Sequence, residues 1–228
     1  MAGGLERLGG PTYILAVLLS AAAWGCSIAS TAYCAYVTRD ITLDPGYNST
    51  LPEEVEEVVR LAFEDHGVGF WAWQLAGSCV TYCTSAGACP NFDTKFRSAK
   101  AFTTVTDILG GLAFFLLLFQ MCNAVEEGVL RFCALFFLLS TLFEGLTLLI
   151  LRSNVCTEPG FFNYLYPFYP PEWNLPEVQS VSCSLSLGSN LTIAATVCWF
   201  FSSLVTAAVR PKDKGEGSPE EQAPEASG

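Results

Sequence analysis

The sequence has little charge and few of the residues that enzymes use for chemistry. Only 14% of its 228 residues are charged, Lys and Arg together number 11, and there is one histidine, His66. So few basic residues, with nothing that resembles a basic nucleic-acid patch, argue against nucleic-acid binding. The sequence also shows no paired nucleophile and base and no glycine loop of the kind that holds phosphate. We therefore predict a protein that is not an enzyme, with no catalytic residue and no cofactor.

Long apolar segments are what the chain does have. Hydrophobic residues make up 51% of it, which is too many for an ordinary soluble domain. A helix needs about 20 apolar residues to cross a hydrocarbon core of roughly 30 Å. Four segments reach that length, at 12–37, 101–121, 129–151 and 185–209. The predicted fold class is an all-α membrane protein, an antiparallel four-helix transmembrane bundle within the lipid bilayer.

The segments between these spans divide the rest of the chain. They are a short N-terminus (1–11), a first large loop (38–100), a tight turn (122–128), a second large loop (152–184) and a polar tail (210–228) that we expect to be disordered. Within the first loop, 52–63 has the pattern of a short amphipathic helix and 69–83 that of a strand or hairpin. The aromatic run 161–173 in the second loop fits an interfacial belt, a cap on the first loop, or a contact surface for another protein.

Three features of the sequence agree on how the chain is oriented in the membrane. Arg210, Lys212 and Lys214 cluster just beyond the fourth span, as is typical of a cytoplasmic end. The sequon at Asn48 and the cysteines of both loops fit a luminal or extracellular side, where glycosylation and disulfide formation occur. We predict a multi-pass protein of the plasma membrane or an endomembrane, with both termini in the cytoplasm.

The loop cysteines admit two interpretations. Cys79, Cys83 and Cys89 could hold zinc with His66 as a fourth ligand, but disulfides are the better prediction for a loop on the oxidising side. Cys79 could bridge Cys83 in a tight local loop. In the second loop, a bridge between Cys156 and Cys183 would fix both ends of that loop. Cys34, near the end of the first span, is the candidate partner for a remaining thiol.

Two acids lie inside predicted spans, which makes them candidate functional residues. Asp107 and Glu144 each stand about seven residues from the loop side of their spans, so they should share a depth, with Asn190, Thr192 and Ser30 near the same level. Asp107, Glu144 and Asn190 could form an intramembrane proton or cation site. They could equally form a hydrogen-bonded knot that orients the helices, with Lys100 or Arg152 as counter-ion.

The layout resembles a known family. Gly69-Phe70-Trp71 followed by a cysteine pair in a large first loop, and the basic entry Lys100-Ala101 into the second span, are similar to the claudin and peripheral myelin protein superfamily of four-span proteins. The resemblance implies a small β-containing extracellular domain in which a cysteine pair ties two strands. The spacing typical of that family would be met by a bridge from Cys79 to Cys89.

The resemblance also bears on function. The segment 187–197 more closely resembles uncharacterised four-span proteins of unicellular algae, and the tail lacks the hydrophobic C-terminal residue with which claudins bind junction scaffolds. We therefore expect a claudin-like protein whose extracellular loops act in adhesion, assembly or membrane organisation, through protein partners or self-association. The alternative is a small ion or proton conductor, or a transport accessory subunit, that uses Asp107 and Glu144.

Overall fold

The structure is a computed structural model that describes residues 10–43, 66–75, 77–83, 87, 89–122, 126–159, 161 and 178–209. Several predictions fall outside these residues: the helix at 52–63, the sequon at Asn48, the aromatic run beyond Phe161, and the tail. The described chain is mostly helical, with a small antiparallel sheet.

Four long helices account for most of the described residues. They are α1 (Gly10–Ala32), α2 (Thr94–Cys122), α3 (Glu127–Leu146) and α5 (Leu187–Ala208); α3 continues into a 3-10 segment (Thr147–Arg152) and a short helix α4 (Asn154–Thr157). All four long helices are long and apolar enough to cross a membrane, which is consistent with a multi-pass membrane protein.

Polar side chains set where two of these helices begin. The backbone N–H of Phe96 donates to Asp93 Oδ1 at 2.9 Å, so Asp93 caps α2, and the helix starts at Thr94 rather than at the predicted residue 101. Ser186 and Ser189 form a reciprocal capping box at the start of α5. The cap at Asp93 thus marks the start of α2 seven residues before its apolar run begins.

The first helix is shorter than the apolar run that predicted it. It ends at Ala32, whereas the run continues to Val37, and Val37 is the first residue of strand β1. Tyr36 and Val37 are fully buried in an apolar cluster that also contains Phe70 and Phe96. Hydropathy overestimated this helix because the link at 33–36 between α1 and β1 is apolar and largely buried, and hydropathy does not distinguish such a link from a helix.

The long helices pack around a common core. Their most extensive contacts are between neighbours: α1 packs against α2 and α5, and α3 packs against α2 and α5. Trp199, Phe137 and Leu117 are fully buried between them. The outward faces are apolar as well, since Ile108 is 63% exposed and Phe119 66%. An apolar outer face is what contact with lipid requires.

The sheet has five strands in the order β4-β3-β2-β1-β5, with every described pairing antiparallel. Its strands are β1 (Val37–Leu43), β2 (His66–Val68), β3 (Ala72–Leu75), β4 (Ser78–Thr81) and β5 (Val178–Leu185). β3 and β4 form the hairpin predicted within 69–83, with Gly77 at φ 78° in the turn between them, a conformation that glycine adopts without strain. β5 comes from the segment before α5 and completes the sheet against β1.

Three disulfides hold the sheet region: Cys34–Cys79, Cys83–Cys89 and Cys156–Cys183. The predicted bridge between Cys156 and Cys183 is confirmed. Both pairings considered for Cys79 are wrong, because its partner is Cys34, which follows α1. The extended strand β4 carries Cys79 away from Cys83, while the turn between β2 and β3 folds over Cys34.

A second apolar cluster fixes the sheet on the ends of the helices. Phe70 and Val68 from the sheet region are fully buried with Phe96 of α2 and Ile150 of the 3-10 segment. Cys156–Cys183 adds a covalent link from α4 to β5. The sheet is therefore held by the helices through packing and through a covalent bond.

Candidate functional site

The sequence Gly69-Phe70-Trp71 forms the corner between β2 and β3. A Cβ atom at Gly69 would lie 2.5 Å from the carbonyl oxygen of Tyr33 and 2.9 Å from Cα of Cys34, so the corner closes on the end of α1 only with glycine. Phe70 is fully buried, and its ring lies 4.5 Å from that of Tyr36. The Tyr82 hydroxyl donates to the Gly69 carbonyl at 2.5 Å. The corner anchors the sheet to the helices.

Trp71, unlike the buried Phe70, has an exposed side chain. It is 53% exposed, and Nζ of Lys100 lies 3.7 Å from the centre of its ring, which is cation–π geometry. Strand β4 stands at the edge of the described sheet, and Ser78 and Thr81 on it are exposed. Trp71 and the β4 edge, which we call the sheet surface, make an accessible aromatic and backbone surface on a rigid support.

The structure does not support the zinc alternative. All three first-loop cysteines are in disulfides, so they offer no thiolate to a metal. His66 is buried in β2 with its ring 5.5 Å from that of Trp73. Within the described residues no group of His, Cys, Asp and Glu could hold a metal ion.

The two acids of the apolar helices do meet, and a serine joins them. Oγ of Ser27 on α1 lies 2.8 Å from Oδ1 of Asp107 on α2 and 2.8 Å from Oε2 of Glu144 on α3. Glu144 is 1% exposed, whereas Asp107 is only partly buried. Nearby, the Thr192 hydroxyl of α5 donates to Ser30 Oγ at 3.1 Å. Ser27, Ser30, Asp107, Glu144 and Thr192, here called the polar core, bring together all four long helices.

Asn190 does not belong to the polar core. It is exposed, while Ser189 and Thr192 on the same helix are fully buried. Two positions along a helix correspond to about 200° around its axis, so Asn190 and Thr192 face opposite directions. Lys100 is not the counter-ion of the acids either, because its ammonium group lies on Trp71 at the sheet end.

A hydrogen-bonded path leads from the polar core towards the sheet. The Thr147 hydroxyl donates to the backbone carbonyl of Glu144 at 2.7 Å and lies 2.8 Å from the Tyr36 hydroxyl. Burial raises the pKa of Tyr36 to about 12. Tyr36 is therefore a neutral hydroxyl at physiological pH, between the buried acid and Phe70.

Three buried oxygen atoms near the acids have no hydrogen-bond partner within the described part of the chain. They are Glu144 Oε1, Thr106 Oγ1 and Ser140 Oγ. Thr106 precedes Asp107 on α2, and Ser140 is one turn before Glu144 on α3. A buried oxygen without a partner is costly, most of all on a charged carboxylate. The surroundings of the acid pair thus contain buried oxygen atoms whose hydrogen-bonding capacity is unused.

No protein-family model and no curated protein sequence matches this chain. The site must therefore be interpreted from its own residues. Sequence reasoning missed Ser27, the residue that joins the two acids. The available signal was the run of small polar residues Ser20, Ser27 and Ser30, which lie within one helical stripe of α1 and are all fully buried.

Proposed function

We infer that this chain is a non-enzymatic, claudin-like four-span membrane protein that acts through its extracellular loops in adhesion, assembly or membrane organisation. The observation that carries this proposal is the placement of a disulfide-braced sheet on the ends of four apolar helices, with the sheet surface accessible. In this proposal the helices form an antiparallel transmembrane bundle with both termini in the cytoplasm, and the sheet lies on the extracellular or luminal side.

The physical properties of the sheet surface support a role in recognition. An exposed tryptophan on a rigid corner supplies a large contact area at low entropic cost, and tryptophan is enriched among residues that dominate binding energy. An edge strand also offers backbone donors and acceptors that can pair with a strand of a partner. The partner is another membrane protein or a second copy of this chain, and neither nucleic acid nor a cofactor has a part in the proposal.

Trp71 provides the test. Lipid vesicles that carry the purified protein should cluster, and Trp71→Ala should weaken clustering by about thirtyfold, the effect of losing roughly 2 kcal/mol at a binding hot spot. Because Trp71 is half exposed, the variant should remain folded. Clustering is followed by light scattering as the protein density in the vesicles is varied.

Phe119→Ala is the matched control. Phe119 is 66% exposed on a face of α2 that the proposal places in lipid, so this variant should cluster vesicles as the wild type does. Absence of clustering by the wild-type protein, or an equal effect of both substitutions, would contradict adhesion through the sheet surface.

A second candidate function is conduction of protons or small cations, and the polar core favours it. Two carboxyl groups share one serine hydroxyl within the apolar helices, and acids in such a place are functional candidates by default. A purely structural role does not account for Glu144 Oε1, which is buried and accepts no hydrogen bond within the described residues.

Flux measurements decide between a functional and a structural polar core. Glu144→Gln keeps the size and hydrogen-bonding capacity of the side chain but removes its acid. If the chain conducts, vesicles with the wild-type protein should dissipate a pH gradient. The variant should do so at least about tenfold more slowly, because removal of one proton-transfer group typically has an even larger effect on rate. Glu127→Gln, on the exposed start of the same helix, should leave the rate unchanged. Equal rates for wild type and Glu144→Gln would exclude conduction through this site.

A further inference from the structure

The hydrogens available at Ser27 do not suffice for its two contacts. A serine hydroxyl has one hydrogen, so it can donate to one carboxyl group at a time. Both contacts, to Asp107 Oδ1 and to Glu144 Oε2, are 2.8 Å, the usual length of a hydrogen bond between oxygens. The second contact needs a hydrogen from elsewhere, and the atom that can carry it is a carboxyl oxygen. Without it, two oxygen lone pairs would face each other in an apolar interior.

From this count we propose that Asp107, Ser27 and Glu144 form a binding site for a single proton. In the arrangement that the geometry favours, Glu144 is the acid that holds the proton and donates through Oε2 to Ser27 Oγ. Ser27 donates its own hydrogen to Asp107 Oδ1, and Asp107 is the carboxylate. The pair thus carries one negative charge rather than two.

The burial of the two acids determines which one holds the proton. Glu144 is 1% exposed, and within the described residues its Oε1 accepts no hydrogen bond and no cation faces it, so a charge on this group would lack both solvent and a counter-ion. Asp107 is less deeply buried, and as a carboxylate it receives hydrogen bonds from the hydroxyls of Ser27 and Thr31. The bare Oε1 atom is thus consistent with a neutral carboxylic acid at position 144 and costly for a carboxylate.

In the part of the chain that the structure describes, the groups around Asp107 and Glu144 include no cation that would compensate their negative charge. From α2 the titratable group facing Glu144 is Asp107, and from the segment after α1 it is Tyr36, which is neutral at physiological pH. α1 contributes the hydroxyl of Ser27 and α5 that of Thr192. Within the described residues no Lys, Arg or His acts on Glu144. Two carboxylates sharing one hydroxyl would therefore repel each other without relief, and one bound proton removes that repulsion.

The same contacts allow the proton to move. Glu144 Oε2 passes its proton to Ser27 Oγ as the original Ser27 hydrogen passes to Asp107 Oδ1. One O–H bond breaks and one forms at the serine, which ends unchanged, while Asp107 becomes the neutral acid and Glu144 the carboxylate. No other reactant takes part. The site thus holds one proton that can pass between a deeply buried acid and one nearer the surface of the helices.

A hydrophobic carbodiimide detects the bound proton directly. This reagent reacts with a protonated carboxyl group in an apolar environment: the acid proton goes to a carbodiimide nitrogen, the carboxyl oxygen adds to the central carbon, and rearrangement gives a stable N-acylurea. The full-length protein in lipid vesicles is treated at pH 7, and its peptides are mapped by mass spectrometry. An ordinary exposed glutamate is protonated in roughly one molecule in 500 at this pH.

We expect one adduct per chain, located on Glu144, with a rate at least about a hundredfold above that of the exposed Glu127, in line with the difference in protonation. In Glu144→Gln the amide N–H replaces the shared proton as donor to Ser27, so Asp107 stays ionised and should carry no adduct. Glu127→Gln is the control and should label as the wild type does.

Two outcomes would overturn the proposal. An unlabelled Glu144 in a wild-type protein whose infrared spectrum at pH 7 also lacks the C=O band of a buried protonated carboxyl group would mean that the pair holds no proton, a result that does not depend on any variant folding or on access of the reagent. An adduct on Asp107 in Glu144→Gln would mean that burial protonates each acid independently, with no sharing. The site is independent of the adhesion proposal and would supply the binding step of conduction. Carbodiimide labelling measures bound protons rather than flux or clustering, so failure of one proposal is distinguishable from failure of another.

Discussion

Gly69→Ala should prevent the sheet from closing on the helices. The added methyl group would lie 2.5 Å from the Tyr33 carbonyl oxygen and 2.9 Å from Cα of Cys34 and from the Ala72 carbonyl oxygen, all of them backbone atoms. Backbone on both sides of the corner cannot yield as a flexible side chain can, so we expect a loss of about 3 kcal/mol or more in the free energy of unfolding. The corner also accepts the Tyr82 hydrogen bond, which would be disturbed as well.

Thermal unfolding in detergent micelles, followed by circular dichroism and by the yield of folded protein, measures this effect. Gly145→Ala is the matched control, because no atom lies within 4 Å of a Cβ at that helical position. It should be neutral or stabilise by up to about 1 kcal/mol through the higher helix propensity of alanine. If the two substitutions had similar effects, the close approach at Gly69 would not be a feature of the folded protein.

Removal of the Cys34–Cys79 bridge should be the most damaging of the three disulfide deletions. It joins residues 45 apart in the sequence, compared with 27 for Cys156–Cys183 and 6 for Cys83–Cys89. Loop-closure entropy then gives about 4 kcal/mol for the first bridge and about 2 kcal/mol for the smallest loop. Beyond entropy, Cys34–Cys79 ties the end of α1 to β4 at the far edge of the sheet.

Three double serine variants, one for each bridge, allow this order to be measured under identical unfolding conditions. Cys83→Ser with Cys89→Ser serves as the internal reference, because it also removes two thiols and one bond. A larger loss from that variant than from Cys34→Ser with Cys79→Ser would reverse the expected order. Non-reducing peptide mapping provides a direct check: a peptide that links Cys79 to Cys83 or Cys89 would contradict the pairing in the structure.

The sequence predicted the elements that depend on long or local patterns. Four apolar runs predicted four long helices, and the aromatic and β-branched residues of 69–83 predicted a strand or hairpin that is confirmed as β3 and β4. The bridge between Cys156 and Cys183 could be predicted because the two cysteines bracket one segment. These features arise from residues close in sequence or from composition over about 20 residues.

Features that depend on distant contacts could not be predicted. Cys34 pairs with Cys79 because the corner at Gly69 folds over the end of α1, a contact that no spacing rule contains. The depths of Asp107 and Glu144 suggested that the acids would meet, but only the rotation of α1 places Ser27 between them. Asn190 was misassigned for the same reason, since depth along a helix does not specify the side that a residue faces.

The position of β5 in the sheet has a consequence for synthesis of the chain. Four strands come from the segment between α1 and α2, but β5 is made only after α3, and it pairs with β1 along the whole of Val37–Leu43. A chain that stops before residue 178 therefore presents β1 without this neighbour, and an open strand edge is a template for pairing with other chains. Truncated products of this protein should be prone to association, and an isolated first segment should be a poor substitute for the complete sheet. The last strand to be made is thus the one that covers β1, the strand that leads directly from the first helix into the sheet.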